Sequence, residues 1–521
     1  MDSPSRTRDH SGAGIRQGDT GDGHGRSAAR TDAPAARTNT PAARTDTPVA
    51  RDGDATGPGP GARRGFLTLL GVDLWERFSF FGMAAILVLY LTAAPADGGL
   101  GMSQQTATAL FATYMSLNFM AGLPGGWLAD RVLGARRAVL AGGTLIACGH
   151  AVLAIPAVPA LYTGLALVVA GTGLVKPSLA AMVSAVSGTA KREEAFSRFY
   201  MCIQVSALLA PIVTGLLAEK VTWHLGFAAA AFGMAAGLAQ FRVGLCALDG
   251  IGSAPTRPLT RTETRTAARR ATAVAAAGTA AAAAVVLGVL PLLAVLALLG
   301  LATVCLPFLY LRALSRRTAV EPHRMAAFTA VMAASAAFWM IFAQSGSALA
   351  LFAAHHTDRD VLGFTVPASW LQCVHPLFIL LLAPFAGRLN ATTTTKFAGA
   401  LTAAGLSFIV MTAAALLART GDVSMAWLIA VYLLYSLGEV VLAPAGLALA
   451  AAVAPPGYLN RFLALNGMFA AVGVVLGGQL FRLTAVLPLP AYFLALAGIA
   501  LAAGTAVATT APRLRLHLAL G

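Results

Sequence analysis

The stretch FLTLLGVDLWERFSFFGMAAILVLYLT, Phe66 to Thr92, is long and apolar enough to cross a bilayer, yet it holds Asp73, Glu76 and Arg77. A span needs about 20 mostly apolar residues, and an ionisable group at mid-bilayer costs at least ~2.5–3.5 kcal/mol unless it meets a partner or a wet cavity. Asp73 and Glu76 are three residues apart and Asp73 and Arg77 four apart, so on a helix all three share one side and can pair. Two readings follow. One is a proton-titratable carboxylate whose charge Arg77 balances; the other is a structural ion pair that locks a helical bundle.

The rest of the chain repeats the first part of that pattern. Of its 521 residues 57% are hydrophobic and 11% charged, against roughly 25% charged in a soluble domain. We expect an all-α membrane protein with fourteen transmembrane helices, at about 66–93, 103–130, 137–156, 159–185, 195–218, 224–247, 267–289, 291–313, 324–354, 366–388, 394–418, 424–453, 459–484 and 488–511. The net charge of +15 is no nucleic-acid signature, because the basic residues sit in a tail and in alternate loops instead of on one folded face. They collect at Arg131, Arg136 and Arg137, at Lys191 and Arg192, at Arg257 to Arg270, at Arg312 to Arg317, at Arg388 and Lys396, and at Arg461. Short cytoplasmic loops carry such an excess. Both termini are therefore expected on the cytoplasmic side of a cell (inner) membrane, as an even span count requires.

Residues 1–63 hold almost no large apolar side chains and are expected to be a disordered cytoplasmic tail. Within them TDAPAAR, TNTPAAR and TDTPVAR (Thr31 to Arg51) form a tandem heptapeptide whose prolines exclude a coiled coil. The two spans in 251–317 are Ala, Val and Leu-rich without internal polar residues, and read as filler against lipid. Removing them leaves six helices in 64–250 and six in 318–512, two bundles of the kind that enclose a midplane site and rock about it, with 513–521 as a second tail. The five cysteines have no metal-ligand spacing and read as small buried hydrophobes. No cofactor or metal is expected.

Other charged residues narrow the reading. Lys176 in GTGLVKPS lies deep in its span, and Pro177 after it frees the carbonyl of Gly173. It can meet an anionic ligand group or a carboxylate in the other half, or snorkel to an interface. Glu439 in YSLGEVVLAP has no cation on its own helix, while Pro444 frees the carbonyl of Val440. Such a glutamate either takes a proton or pairs across the cavity, with Lys176 the candidate partner and the pair a gate. Asp130, Arg131 and Arg136 in GGWLADRVLGARR read as a structural clasp between helix ends. His150 and His375 lie in apolar segments; His375, with Gln372 one turn before and Pro376 after, is the better cavity-lining candidate.

From Phe66 to Arg482 the chain resembles the proton-coupled oligopeptide transporters of the major facilitator superfamily. DLWERFSFFG (Asp73 to Gly82) is similar to their first-helix signature with Asp for the usual Glu, and GTGLVKP (Gly171 to Pro177) to their fourth-helix segment. FYMCIQVSALLAP (Phe199 to Pro211), FWMIFAQSGS (Phe338 to Ser347), WLQCVHPLF (Trp370 to Phe378) and LGEVVLAPAGL (Leu437 to Leu447) are similar to the fifth, seventh, eighth and tenth. The resemblance implies a major facilitator fold with two extra helices between the halves, and a proton-coupled symporter of di- or tripeptides, monomeric and needing only protons, substrate and the lipid bilayer as partners. It implies proton coupling at Asp73, Glu76, Arg77 and Glu439, substrate contacts at Arg77, Lys176, Gln204, Gln344, His375, Glu439 and Asn466, and gating by Lys176 and Glu439.

The chain departs from the family pattern at several polar positions. Phe81 and Phe119 stand where tyrosines are usual, Ala84 where an arginine is common, and Ala343 where the seventh helix has an acid; Gln204 and His375 replace asparagines and Asn466 a tryptophan. The arginine and the acid are absent together, as a charge pair lost as a unit, since a lone survivor would be an uncompensated buried charge. The substrate is then a peptide recognised with relaxed or altered specificity, or another small zwitterion or organic anion. A proton-driven exporter of a drug-like metabolite on the same fold is the alternative, and a non-transporting relative a third reading. No paired nucleophile and base or phosphate loop suggests an enzyme.

Overall fold

The computed structural model describes residues 60–187, 192–318, 320–386, 388–456 and 458–518. The heptapeptide repeats and Lys191 lie outside the described residues. What it describes is helical apart from two small strand pairs, and eleven helical segments among the described residues are long and apolar enough to cross a membrane. Large side chains such as Phe232, Leu298 and Phe385 point outward from these helices, as lipid-facing surface requires.

Helices α1 (Pro60–Thr92), α2 (Gln104–Met120), α3 (Gly122–Leu128), α4 (Ala135–Leu153), α5 (Val158–Ser187), α6 (Arg192–Lys220) and α7 (Trp223–Gly244) pack chiefly on one another. Helices α8 (Arg261–Val286) and α9 (Leu292–Ser315) follow. A second group comprises α10 (Pro322–Phe342), α11 (Ala348–His355), α12 (Val374–Ala386), α13 (Thr393–Leu417), α14 (Ala426–Val453), α15 (Leu459–Leu480) and α16 (Leu489–Leu518). The groups meet where α2 lies along α15 and α6 along α12.

Several expected spans take a different form. The span at 103–130 divides into α2 and α3 at Ala121, where Gly122 and Pro124 follow, and ends in a π turn at Ala129–Leu133. The span at 324–354 breaks at Ala343–Ser347, because AQSGS supplies turn formers between two apolar helices. At 366–388 a 3-10 turn, Ala368–Cys373, precedes α12. Helix α8 differs from the expected apolar filler in composition: its first turns hold Arg261, Arg265, Arg269 and Arg270, the remaining apolar half is mostly the weakly hydrophobic alanine, and none of its described residues is buried. Residues 513–518 continue α16, which runs through Pro512 to Leu518, where the Arg515 Nε donates to the Thr394 hydroxyl (3.2 Å). Cys148, Cys246 and Cys305 are exposed on the outside of the bundle instead of buried; only Cys373 is in the core.

At the face carrying the arginine-rich loops, the segment after α7 straps the turn between α3 and α4. The amides of Arg257 and Leu259 donate to the carbonyls of Asp130 and Arg131, and Arg136 donates to the Ile251 carbonyl (2.8 Å). Arg131 pairs with Glu263 (3.0 Å), which also closes a capping box with Thr260 at the start of α8. The clasp expected here thus uses the main chain of Asp130, and its acid is Glu263. Bonds to the Thr260 amide and hydroxyl, and then the Arg131 guanidinium, hold the Glu263 carboxyl below the usual glutamate range.

Candidate functional site

Between the two groups lies a narrow cavity of about 70 Å3. From the first group it is lined by Phe81, Ala84, Phe111, Met115, Ala207 and Pro211, and from the second by Phe342, Ala343, Ser345, Gly346, Gln372, His375, Pro376 and Val474. Ala84 and Ala343, where the sequence lacks two opposite charges, therefore face one space, and Phe81 presents a bare ring to it. The wall is largely apolar in consequence.

The first group carries its buried charges on α1 and α5, outside the cavity lining. Asp73 and Glu76 are 1% exposed, and the Arg77 Nε stands 3.4 Å from Asp73 Oδ1 and 3.3 Å from Glu76 Oε2. Neither Glu76 oxygen, nor Asp73 Oδ2, nor the Arg77 Nε makes an aligned hydrogen bond, so these are close ion pairs with unused polar valence. Lys176 of α5 lies within electrostatic reach of all three, its ammonium 4.6 Å from the Phe80 ring centre in a cation–π contact. Helix α1 is held for this purpose by α6: Ser206 donates to the Leu74 carbonyl and Thr214 to that of Gly82. Gly82 is where the helices touch, since a Cβ there would fall 2.6 Å from the Thr214 methyl.

In the second group Glu439 does not pair with Lys176. Its Oε2 lies 2.8 Å from the Nε2 of His375, both residues being buried. The His375 ring stacks on Tyr435 (centroids 4.6 Å apart) and meets Phe342 edge-on. Lys176 and Glu439 thus belong to different groups, each against a residue of its own group, and it is Phe81 and His375 that line the cavity.

Other expected site residues serve their own surroundings. Gln344 donates to the Met340 carbonyl (3.0 Å) and accepts from the Tyr492 hydroxyl (3.0 Å), which uses it inside the second group and away from the cavity wall. Asn466 places its side-chain oxygen against Gly446 of α14. Gln204 is buried on α6, one turn from Tyr200, whose hydroxyl lies within electrostatic reach of Glu439. His150 is fully buried on α4 with neither ring nitrogen hydrogen bonded.

Glu219 is a site residue that sequence reasoning missed. At the end of α6, in AEKVTW, it reads as a solvated span boundary, but its carboxylate accepts from the Ala368 amide (2.7 Å), the Ser369 amide (3.0 Å) and the Ser369 hydroxyl (2.5 Å). Arg359 stands 3.9 Å away. With Trp370 donating to the Ile212 carbonyl (3.0 Å), Gln372 to that of Ala85 (3.0 Å) and Gln105 to the Thr484 hydroxyl (3.2 Å), these bonds join the two groups toward the face opposite the arginine-rich loops. Gly478 lets α15 reach α2, a Cβ there falling 2.1 Å from the Ala112 methyl.

A polytopic helical membrane protein, with a cavity between two helix groups and buried charges of opposite sign within them, has the form of a transporter. A profile of the POT family (PTR2) matches residues 136–495. The uncharacterized transporter YclF of Bacillus subtilis is 34% identical over 447 residues, 83% of this chain and 90% of that protein. The peptide transporter YePEPT of Yersinia enterocolitica is 33% identical over 422 residues, 75% and 82% of the two chains. Among solved structures, a peptide transporter POT in complex with sulfate superposes with a TM-score of 0.82 at 36% identity, covering 87% of this chain and 95% of that one, and a POT family transporter in complex with 5-aminolevulinic acid with 0.82 at 28%, covering 87% and 96%. The chain belongs to the POT family and is a transporter, not an enzyme.

Proposed function

We propose that the chain is a proton-coupled symporter that takes up di- or tripeptides, or a zwitterion of similar size, by alternating access. In this reading fourteen helices cross the cell membrane, two six-helix bundles rock about the cavity, α8 and α9 stand between them, and both termini are cytoplasmic. The observation that carries it is the placement of opposite charges in the two bundles, Lys176 against Phe80 and Arg77 one turn before Phe81, and Glu439 against His375, with Phe81 and His375 lining one cavity. A zwitterion needs a cation for its carboxylate and an anion for its ammonium on opposed walls. The unaligned contacts of Asp73, Glu76 and Arg77 leave these groups free to exchange partners, which proton coupling requires.

The relatives of known substrate support the peptide, and the one solved with 5-aminolevulinic acid supports a wider class of small zwitterions. Uptake of dialanine into proteoliposomes, with and without an inward proton gradient, tests the reading: gradient-stimulated uptake is expected, and its absence for every di- and tripeptide tried would defeat the peptide version. The apolar wall around Ala84 and Ala343 favours a second reading, proton-driven export of an apolar metabolite, which the direction of counterflow separates from the first.

A further inference from the structure

We propose that His375 is a built-in competitor for the substrate's ammonium at Glu439, so that proton and peptide exclude each other at this carboxylate. The inference rests on the zwitterion reading above. His375 lines the cavity, and its Nε2 stands 2.8 Å from Glu439 Oε2, a place an ammonium would occupy. Neither atom makes an aligned hydrogen bond, so the contact is held by charge and proximity and Oε2 retains a lone pair for a second donor.

The groups around the pair are mostly uncharged. Tyr200 of α6 and Tyr432 and Tyr435 of α14 surround the site with phenols, and Cys373 precedes α12. The charged or titratable residues of α10, α13 and α15, which are His323 and Arg324, Lys396, and Arg461, stand in the first turns of those helices. Lys176, with Asp73, Glu76 and Arg77, belongs to the first group. When the carrier is empty, an imidazolium spares Glu439 a bare buried charge. When a peptide arrives, its ammonium and the imidazolium are like charges contending for one carboxylate; His375 gives its proton to the medium, and the neutral ring stays stacked on Tyr435. A substrate bound this way is measured by the fraction of carriers whose histidine is neutral.

The test is dialanine uptake by the reconstituted full chain at equal pH on both sides, from pH 5.5 to 8, for the wild type, His375→Asn and His375→Gln. The wild-type KM should rise about tenfold per unit below the histidine's titration and be flat above it, while both variants stay flat. Calorimetry of dialanine binding to the wild type in buffers of different ionisation heat gives a reading that needs no variant: release of about one proton per peptide on the acid side is expected. Variants that keep the wild-type pH profile, or binding without proton release, overturn this inference alone. Absence of dialanine uptake by the wild type at every pH overturns the peptide reading and this inference with it.

Discussion

Replacing Glu219 by Gln should open the cavity at the face where the two helix groups are joined. The carboxylate places Oε2 on the Ala368 amide and Oε1 on the Ser369 amide and hydroxyl, with the Glu219 and Arg359 side chains only 13% and 18% exposed. A glutamine keeps one acceptor oxygen. Its NH2 must then confront the Ala368 or the Ser369 N–H, whichever way the amide turns, and the Ser369 hydroxyl can rotate to relieve only one of these arrangements. A donor left facing a donor in a mostly buried site costs about 1–3 kcal/mol, and the charge assistance lost from the remaining bonds adds about 1 kcal/mol. Arg359 contributes little, because its guanidinium is held at 3.9 Å by bonds to the Val366 and Ala354 carbonyls. The sum, about 2–4 kcal/mol, applies only while the groups are closed, since both side chains meet water once they part.

At 1.4 kcal/mol per factor of ten, that shifts the closed-to-open ratio by roughly 30- to 700-fold. The assay is labelling of Ser345→Cys, a cavity-lining position, in a background without the native cysteines, by a membrane-impermeant thiol reagent applied at the Glu219 face. Glu219→Gln should raise the labelling rate at least about 30-fold. A change of less than threefold in a folded, monodisperse variant would show that Glu219 does not hold the groups together, and the argument from its three hydrogen bonds fails.

Gly478→Val should act on the same closure from the α2–α15 side, because any Cβ there meets Ala112 at 2.1 Å; the same labelling is expected to rise while uptake falls by more than tenfold. Restoring charge at the cavity wall should be tolerated only as a pair: Ala343→Glu alone lowers thermal stability and uptake, and Ala84→Arg with Ala343→Glu recovers both, as a thermal-shift assay and a double-mutant cycle would reveal. Glu263 has its carboxyl below the usual range when folded, so its contribution to the strap is present above the unfolded glutamate value of about 4.3 and is lost as pH falls through the lower, folded one. Hydrogen exchange of the Thr260 and Glu263 amides, which the capping box protects, should therefore rise only on the acid side in the wild type and at all pH values in Glu263→Ala.

The sequence reached what local pattern encodes. Asp73, Glu76 and Arg77 announce themselves because hydrocarbon rejects them, and three- and four-residue spacing is enough to put them together on α1. Spans of Leu, Val and Phe were equally readable from length. Helix α8 is less plain, because its alanine run has the pattern of a span with weak hydrophobicity. What depends on distant partners stayed hidden. Glu439 was assigned to Lys176 by charge alone, whereas the fold brings it His375, a residue 64 positions back whose significance lies in its packing on Tyr435. Gln344 stood in a string similar to a substrate-binding helix, and nothing before Tyr492 in the chain reveals that its amide oxygen is already taken. Glu219 looked solvated because its acceptors' partners lie about 150 residues away.

The loss of charge at positions 84 and 343 and the bonds at Glu219 have one physical explanation. An arginine and an acid facing each other across the cavity would tie the groups together at mid-height, at the cost of desolvating both whenever the cavity closes. With Ala84 and Ala343 there instead, the wall closes on apolar contacts such as that of Phe111 with Gly346, which are not directional and set no register. Register then has to come from elsewhere along the same seam. Glu219 with the Ala368–Ser369 turn supplies it, because two amides and a hydroxyl converge on a single carboxylate only in one relative placement of α6 and α12. The polar lock stands at the rim, where both partners regain water on parting, and the cavity keeps an uncharged wall against which an apolar side chain of the cargo can rest.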